Sequence, residues 1–157
     1  MPQLNRKAPA FTLPADDGTA ISLASLQGKT VVLYFYPKDD TAGCTEEACE
    51  FKALFPRFNK SQAVILGVSP DSVKKHAKFR TKYALPFTLL SDEDHAVCES
   101  YDVWKEKLFY GRKYMGVERS TFIIDAKGTL VREMRKVSHA GHADEVAAAL
   151  KDLKAKA

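Results

Sequence analysis

The strongest constraint on this chain is the unbroken apolar run Val31-Val-Leu-Tyr-Phe-Tyr36, closed by Pro37. A strand whose side chains are apolar on both faces must be covered on both, which places it in the middle of a sheet flanked by other elements. Proline ends the run because it brings no N–H to the ladder. After the polar loop Lys38-Asp-Asp-Thr41, apolar residues at 48, 51, 55 and 58 mark one face of a helix, and Ala63-Val-Ile-Leu-Gly-Val68 repeats the buried-strand character. The three segments read as a βαβ unit.

The remaining pattern extends this unit. Phe11-Thr-Leu13 and Ala20-Ile-Ser-Leu23 flank the turn signal Asp16-Asp-Gly18 and predict an N-terminal hairpin. A second helix is expected over Asp71 to Tyr83, a short strand over Phe87 to Leu90 and a third helix over Asp94 to Tyr101. Ser120 to Ile124 and Thr129 to Arg135, joined by Asp125-Ala-Lys-Gly128, predict a hairpin, and Ala143 to Lys154 a closing amphipathic helix. The expected fold class is α/β, with a mixed central sheet flanked by helices in a thioredoxin-like order. At 157 residues with no Pro-, Gly- or Ser-rich linker, one domain over 1–157 is expected.

Composition narrows the functional classes. The net charge of +4 is spread over 24 basic and 20 acidic residues with no aromatic-interleaved basic stripe, which argues against a nucleic-acid partner. No apolar segment is long enough to span a bilayer or to serve as a secretory leader, so a cytoplasmic protein without a membrane partner is expected. Three cysteines, an odd and small number, do not make a disulfide framework; a reducing compartment would keep them available for chemistry.

Cys44 opens the helix that follows the first buried strand. Such a position lies at the carboxyl edge of the sheet, where open α/β folds place their sites. A helix N-terminus presents unpaired N–H groups and about half a positive charge, so it favours an ionised sulfur placed there. Ionisation raises reactivity only modestly, and fast attack on a peroxide O–O bond also needs donors aimed at the departing oxygen. Thr41 has a hydroxyl three residues before the cysteine, and Arg119, at the mouth of the Ser120 strand, has a permanent positive charge. Cys49 is a second thiol within reach in sequence, and Cys98 or a thiol outside the chain are alternatives for reaction with an oxidised Cys44. On an ideal helix Cys44 and Cys49 stand about 140° apart and about 7.5 Å along the axis, a Cα separation of roughly 8.6 Å. A disulfide requires less than about 7 Å, so these two sulfurs can join only if the first helical turns unwind.

The motif Pro37-x-x-x-Thr41-x-x-Cys44 resembles the signature of the peroxiredoxins. Its continuation Cys44-Thr-Glu-Glu-Ala-Cys49, with Leu90-Ser-Asp-Glu-Asp-His95, Val103-Trp-Lys-Glu-Lys107 and Tyr110-Gly-Arg-Lys-Tyr-Met-Gly-Val-Glu-Arg119-Ser-Thr-Phe122, is similar to the bacterioferritin comigratory protein (PrxQ) subfamily through nearly the whole chain. The resemblance implies a thiol peroxidase in which Cys44 forms a sulfenic acid, Cys49 resolves it as an intramolecular disulfide and thioredoxin reduces that disulfide. It further implies that Pro37 shields the site, that Thr41 and Arg119 orient the hydroperoxide, that no metal or organic cofactor is needed, and that the protein is a monomer. Some members of the subfamily carry the resolving thiol on the helix expected here over Asp71 to Tyr83. That helix has no cysteine in this chain, leaving Cys49 as the candidate the family supports.

Other features read as structural. Cys98 lies at the apolar spacing of a short helix and is expected as a packed thiol. Glu47 complements the helix dipole, Thr41 doubles as a helix N-cap, and Trp104 packs near the site. His95-x-x-Cys98 and His139-x-x-His142 do not pair into a zinc pattern. A thioredoxin-type disulfide oxidoreductase would need Cys-x-x-Cys, which is absent, and a proline before the strand where this chain has Glu118-Arg119-Ser120. The rival that keeps the same chemistry is a peroxide sensor or holdase that oxidises once without turnover.

Overall fold

The computed structural model describes residues 2–156. The expected N-terminal hairpin forms as β1 (Thr12–Pro14) and β2 (Ala20–Ser22), antiparallel. The apolar run is β3 (Thr30–Phe35), followed by α1 (Ala42–Ala53), α2 (Phe55–Lys60) and β4 (Ala63–Ser69). Next come α3 (Val73–Tyr83), β5 (Thr88–Ser91) and α4 (Ala96–Ser100). The chain continues through β6 (Trp104–Phe109), β7 (Arg112–Val117), β8 (Ser120–Ile124) and β9 (Leu130–Met134), and ends in α5 (His142–Lys156).

The central sheet has the order β5-β4-β3-β8-β9, parallel from β5 to β3 and antiparallel from β3 to β9, the mixed sheet expected. Alternation along β3 divides the core in two. Val31, Leu33 and Phe35 join Phe11, Leu13, Tyr101 and Phe122 on one face, while Val32 and Tyr34 join Phe51, Phe79 and Val146 on the other. Helices α1, α3 and α5 cover the second face, and the N-terminal hairpin with α4 covers the first. Gly67 of β4 permits this packing, since a Cβ there would stand 2.9 Å from both Leu89 and the Tyr34 ring.

Two features differ from the sequence expectation. The stripe 48, 51, 55 and 58 belongs to two helices, divided at Leu54, because Pro56 in the first turn of α2 has no N–H and its ring would meet the carbonyl four residues back. The β6–β7 hairpin has no counterpart in the sequence pattern. Both of its faces are largely open to solvent, so it lacks the apolar–polar alternation that marks a half-buried strand. No helix among the described residues is long and apolar enough to cross a membrane.

Candidate active site

The sheet register assembles the site. Phe35 pairs with Ser120 across β3 and β8, so the residues just beyond each strand, Tyr36-Pro37 on one side and Arg119 on the other, meet at the same edge. The loop after Pro37 then turns into α1, whose inward positions are Cys44, Glu47, Ala48 and Phe51. This spacing of three, four and seven residues gives one helical face. Phe51 anchors that face by stacking on Tyr34 with ring centroids 4.7 Å apart.

Cys44 lies in the first turn, 2% exposed, and Arg119 reaches it from across the sheet edge. Arg119 Nη2 donates to Cys44 Sγ at 3.2 Å, and Nη1 donates to Glu47 Oε1 at 2.6 Å. One planar guanidinium thus faces a thiol and a carboxyl one turn apart on the same helix. Glu47 Oε2 is buried without a partner. Burial pushes the Glu47 carboxyl up to about 7 despite the pull of Arg119 in the other direction. Near neutrality it therefore holds its proton part of the time. The expectation that Glu47 serves the helix dipole misses its contact with Arg119, a link across 72 residues that no local spacing signals.

Thr41 occupies the N-cap position of α1, but its side chain makes no capping bond. Its hydroxyl donates instead to the Lys38 carbonyl at 2.9 Å, so the capping half of its expected dual role is corrected to a loop contact. Two neighbouring carboxylates hold that loop. Asp39 accepts from Tyr36 Oη at 2.5 Å, lies 2.6 Å from Nδ1 of the buried His76, and its backbone N–H donates to Asp71 at 2.8 Å. Asp40, in the left-handed region at φ +58°, accepts from Lys82 and Tyr83 at 2.8 Å each. Helix α3 therefore grips the loop that leads to Cys44, and nothing local in the sequence marks His76, a lone histidine in a basic helix. Asp39, Asp71 and His76 are also the one group of metal-type ligands that converges among the described residues. Their atoms are engaged with one another, with Ser69 and with the Leu90 carbonyl.

Cys49 is half-buried further along the uninterrupted α1, and all three cysteines are free thiols. Cys98 is wholly buried and its thiol is pushed up, first by burial and then by Asp92. The histidine pairs do not converge. His95 stacks flat on Trp104 with centroids 4.0 Å apart, which gives Trp104 its packing role, while His139 approaches Glu46 and His142 meets Thr121 at 2.6 Å.

Beside Arg119 an open cleft of about 270 Å³ is lined by Lys105, Lys107 and Lys136 together with Glu106 and Glu118. Lys107 is half-buried, and its ammonium is held below the usual lysine range by burial and then by Arg119. With four cations against two carboxylates, the approach to the site on this side carries net positive charge.

A family model described as the AhpC/TSA family matches residues 4–133. The chain is 53% identical over 144 residues to the putative peroxiredoxin bcp of Coxiella burnetii, covering 92% of this chain and 95% of the relative. It is 49% identical over 154 residues to the peroxiredoxin Bcp of Bacillus subtilis, covering 98% of each. A solved structure of the Xanthomonas campestris bacterioferritin comigratory protein, described for its alkyl peroxide reduction activity, matches with a TM-score of 0.86 at 49% identity over 90% of each chain. With the thioredoxin-like sheet, the Pro37–Cys44 motif and near-complete coverage all agreeing, the chain belongs to the AhpC/TSA family, among its Bcp (PrxQ) peroxiredoxins.

Proposed function

We propose that this chain is a thiol peroxidase acting on hydrogen peroxide and organic hydroperoxides, with Cys44 as the attacking thiol. The observation that carries the reading is the Arg119 guanidinium 3.2 Å from the Cys44 sulfur at the start of α1. The Cys44 thiolate attacks one peroxide oxygen, the O–O bond breaks, and the departing oxygen takes up a proton to leave as water or an alcohol. Cys44 is then a sulfenic acid. Arg119 supports the charge that passes from sulfur to the departing oxygen. With its own proton committed to Lys38, the Thr41 oxygen has lone pairs to accept from the hydroperoxide O–H. Pro37, half-buried at the loop's start, limits water at the reacting sulfur.

The Cys49 thiol then attacks the sulfenic sulfur, forming the disulfide and releasing water. Both cysteines lie on one continuous helix, so this step requires the first turns of α1 to unwind. Thioredoxin, a dithiol reductant, returns the pair to thiols by exchange. No metal or organic cofactor takes part in this cycle. We place the enzyme as a single-domain monomer in the cytoplasm, where a reducing poise keeps its three thiols free.

The test is one equivalent of hydrogen peroxide added to the reduced protein, with peptide mapping under non-reducing conditions. A Cys44–Cys49 bond within one chain is expected. A bond to Cys98 or to another chain would overturn the resolving role, and an unoxidised Cys44 would overturn the reading as a whole. Repeated consumption of peroxide with thioredoxin present separates the enzyme from a sensor that oxidises once.

A further inference from the structure

Six large hydrophobic side chains are exposed among the described residues, and five of them, Leu108, Phe109, Tyr110, Tyr114 and Met115, lie on the β6–β7 hairpin. Scattered exposed apolar residues are ordinary on a protein surface, whereas a concentration of them on one element marks an interaction site. This hairpin is a separate two-stranded sheet, hydrogen-bonded to no strand of the central sheet. Its base is tied to the body through half-buried Trp104 and buried Val117. Its end is a tight turn at Tyr110-Gly111, both at positive φ (50° and 76°), as a two-residue hairpin loop requires. Tyr110 at the apex is 92% exposed and packs edge-on against Phe109.

The register tells what kind of partner fits. Cross-strand partners share a face of a ribbon, and successive residues alternate between faces. Lys107 with Tyr114 and Phe109 with Arg112 lie on one face; Glu106 with Met115 and Leu108 with Lys113 lie on the other. Each face thus carries two large apolar side chains and at least one cation. A flat protein surface would cover one face and leave the other in water. A ribbon that is apolar on both faces, narrow at its tip and basic behind it is covered completely only by a medium it can enter. The lipid–water interface is such a medium, with acyl chains for the apolar tip, headgroups for the Tyr hydroxyls and phosphates for Arg112, while Lys113 is already matched by Glu106 at 3.7 Å.

We propose that the β6–β7 hairpin docks this protein on anionic phospholipid surfaces by inserting Leu108, Phe109 and Tyr110 at headgroup depth. The contact is peripheral and needs no spanning segment. It rests on the peroxidase reading only for its purpose: the cleft beside Arg119 is lined by Lys105, Glu106 and Lys107 of the same ribbon, so docking would bring the site to hydroperoxides held in the membrane.

Vesicle flotation tests the docking without any turnover, so its failure leaves the peroxidase untouched. The probes are vesicles of phosphatidylcholine alone and of three parts phosphatidylcholine to one part phosphatidylglycerol. The reduced protein is expected to float with the anionic vesicles, to be released by high salt, and to stay in solution with phosphatidylcholine alone. Phe109→Ser with Tyr110→Ser should abolish flotation, and Arg112→Gln should weaken it by about fivefold, the effect of one basic residue near an anionic surface. Unchanged turnover of hydrogen peroxide in these variants shows that the fold is intact. Absence of flotation with anionic vesicles, or flotation equally strong in the double variant, overturns the proposal. It is equally overturned if vesicles are ignored and the same variants instead raise the KM for thioredoxin, which would make the hairpin a protein-docking surface.

Discussion

Glu47 and Cys44 stand one turn apart on α1 and accept from the two ends of the same guanidinium, at 2.6 Å for the carboxyl and 3.2 Å for the sulfur. The two groups therefore share one positive charge. When Glu47 is protonated it still accepts from Arg119 but no longer offsets its charge, which then faces the sulfur alone; when Glu47 is ionised, much of that charge is already matched. Because burial holds the Glu47 carboxyl at about 7, the division changes across the neutral range.

Stability should carry the same signature. Folded Glu47 keeps its proton up to about 7, against 4.5 for the ordinary side chain, so the stability it contributes is full below about 4.5 and is lost as pH rises through about 7. Glu47→Gln keeps an oxygen for Arg119 and removes the titration. In urea unfolding, the variant is expected to lack this loss between pH 4.5 and 7, and an identical slope in both proteins would show that Glu47 does not titrate there.

His142 acts with the opposite sign. Burial first, then Arg119, lowers it from 6.5 to about 4, so its contribution is full above 6.5 and is lost as pH falls through about 4. Between 4.5 and 6.5 the two slopes oppose each other and flatten the profile. His142→Phe should expose the slope of Glu47 alone, read in the same urea series.

Arg119→Met removes the charge while keeping the bulk. A fall in peroxidase kcat/KM of about 10²–10³ is expected, the usual effect of deleting one donor to a developing anion. Arg119→Lys should recover only part of it, because an ammonium cannot face both the sulfur and the carboxyl as the planar fork does. Stopped-flow oxidation of Cys44 by hydrogen peroxide measures both.

The unwinding of α1 has a visible restraint. Glu50, in the third turn of α1 just past Cys49, accepts from the Gly141 N–H at 2.8 Å, and a Cβ on Gly43 would come within 2.9 Å of the His139 ring, so the segment before α5 lies against both the start and the third turn of α1. Glu50→Ala removes a hydrogen bond worth about 1 kcal/mol. Passage from the Cys44 sulfenic acid to the disulfide is expected to accelerate up to about fivefold if that bond breaks before the transition state. Rapid quenching with mass spectrometry follows it, and an unchanged rate would show that the contact does not limit opening.

Elements with a strong local pattern were legible in advance. The all-apolar β3 and β4, the Asp16-Asp-Gly18 and Asp125-Ala-Lys-Gly128 turns and the helix after Cys44 each follow from residues adjacent in sequence. The divided helix at Leu54 was hidden because Pro56 fits the first turn of one helix as readily as it breaks another. The β6–β7 ribbon was hidden because it has no buried face to produce a period.

For the site, local chemistry marks Cys44 at a helix start after a buried strand, with Thr41 and Pro37 close by in sequence and Cys49 out of bonding reach on the same helix. Arg119 is marked in the sequence by its place before a strand and by the family resemblance. Its aim was decided by the β3–β8 register, which sets Ser120 opposite Phe35 and so brings the guanidinium to both Cys44 and Glu47. The grip of His76 on Asp39 and the shifted titration of Glu47 also belong to the tertiary structure. Hydrogen bonds and desolvation depend on distances between residues far apart in the chain, and those distances exist only once the sheet has closed.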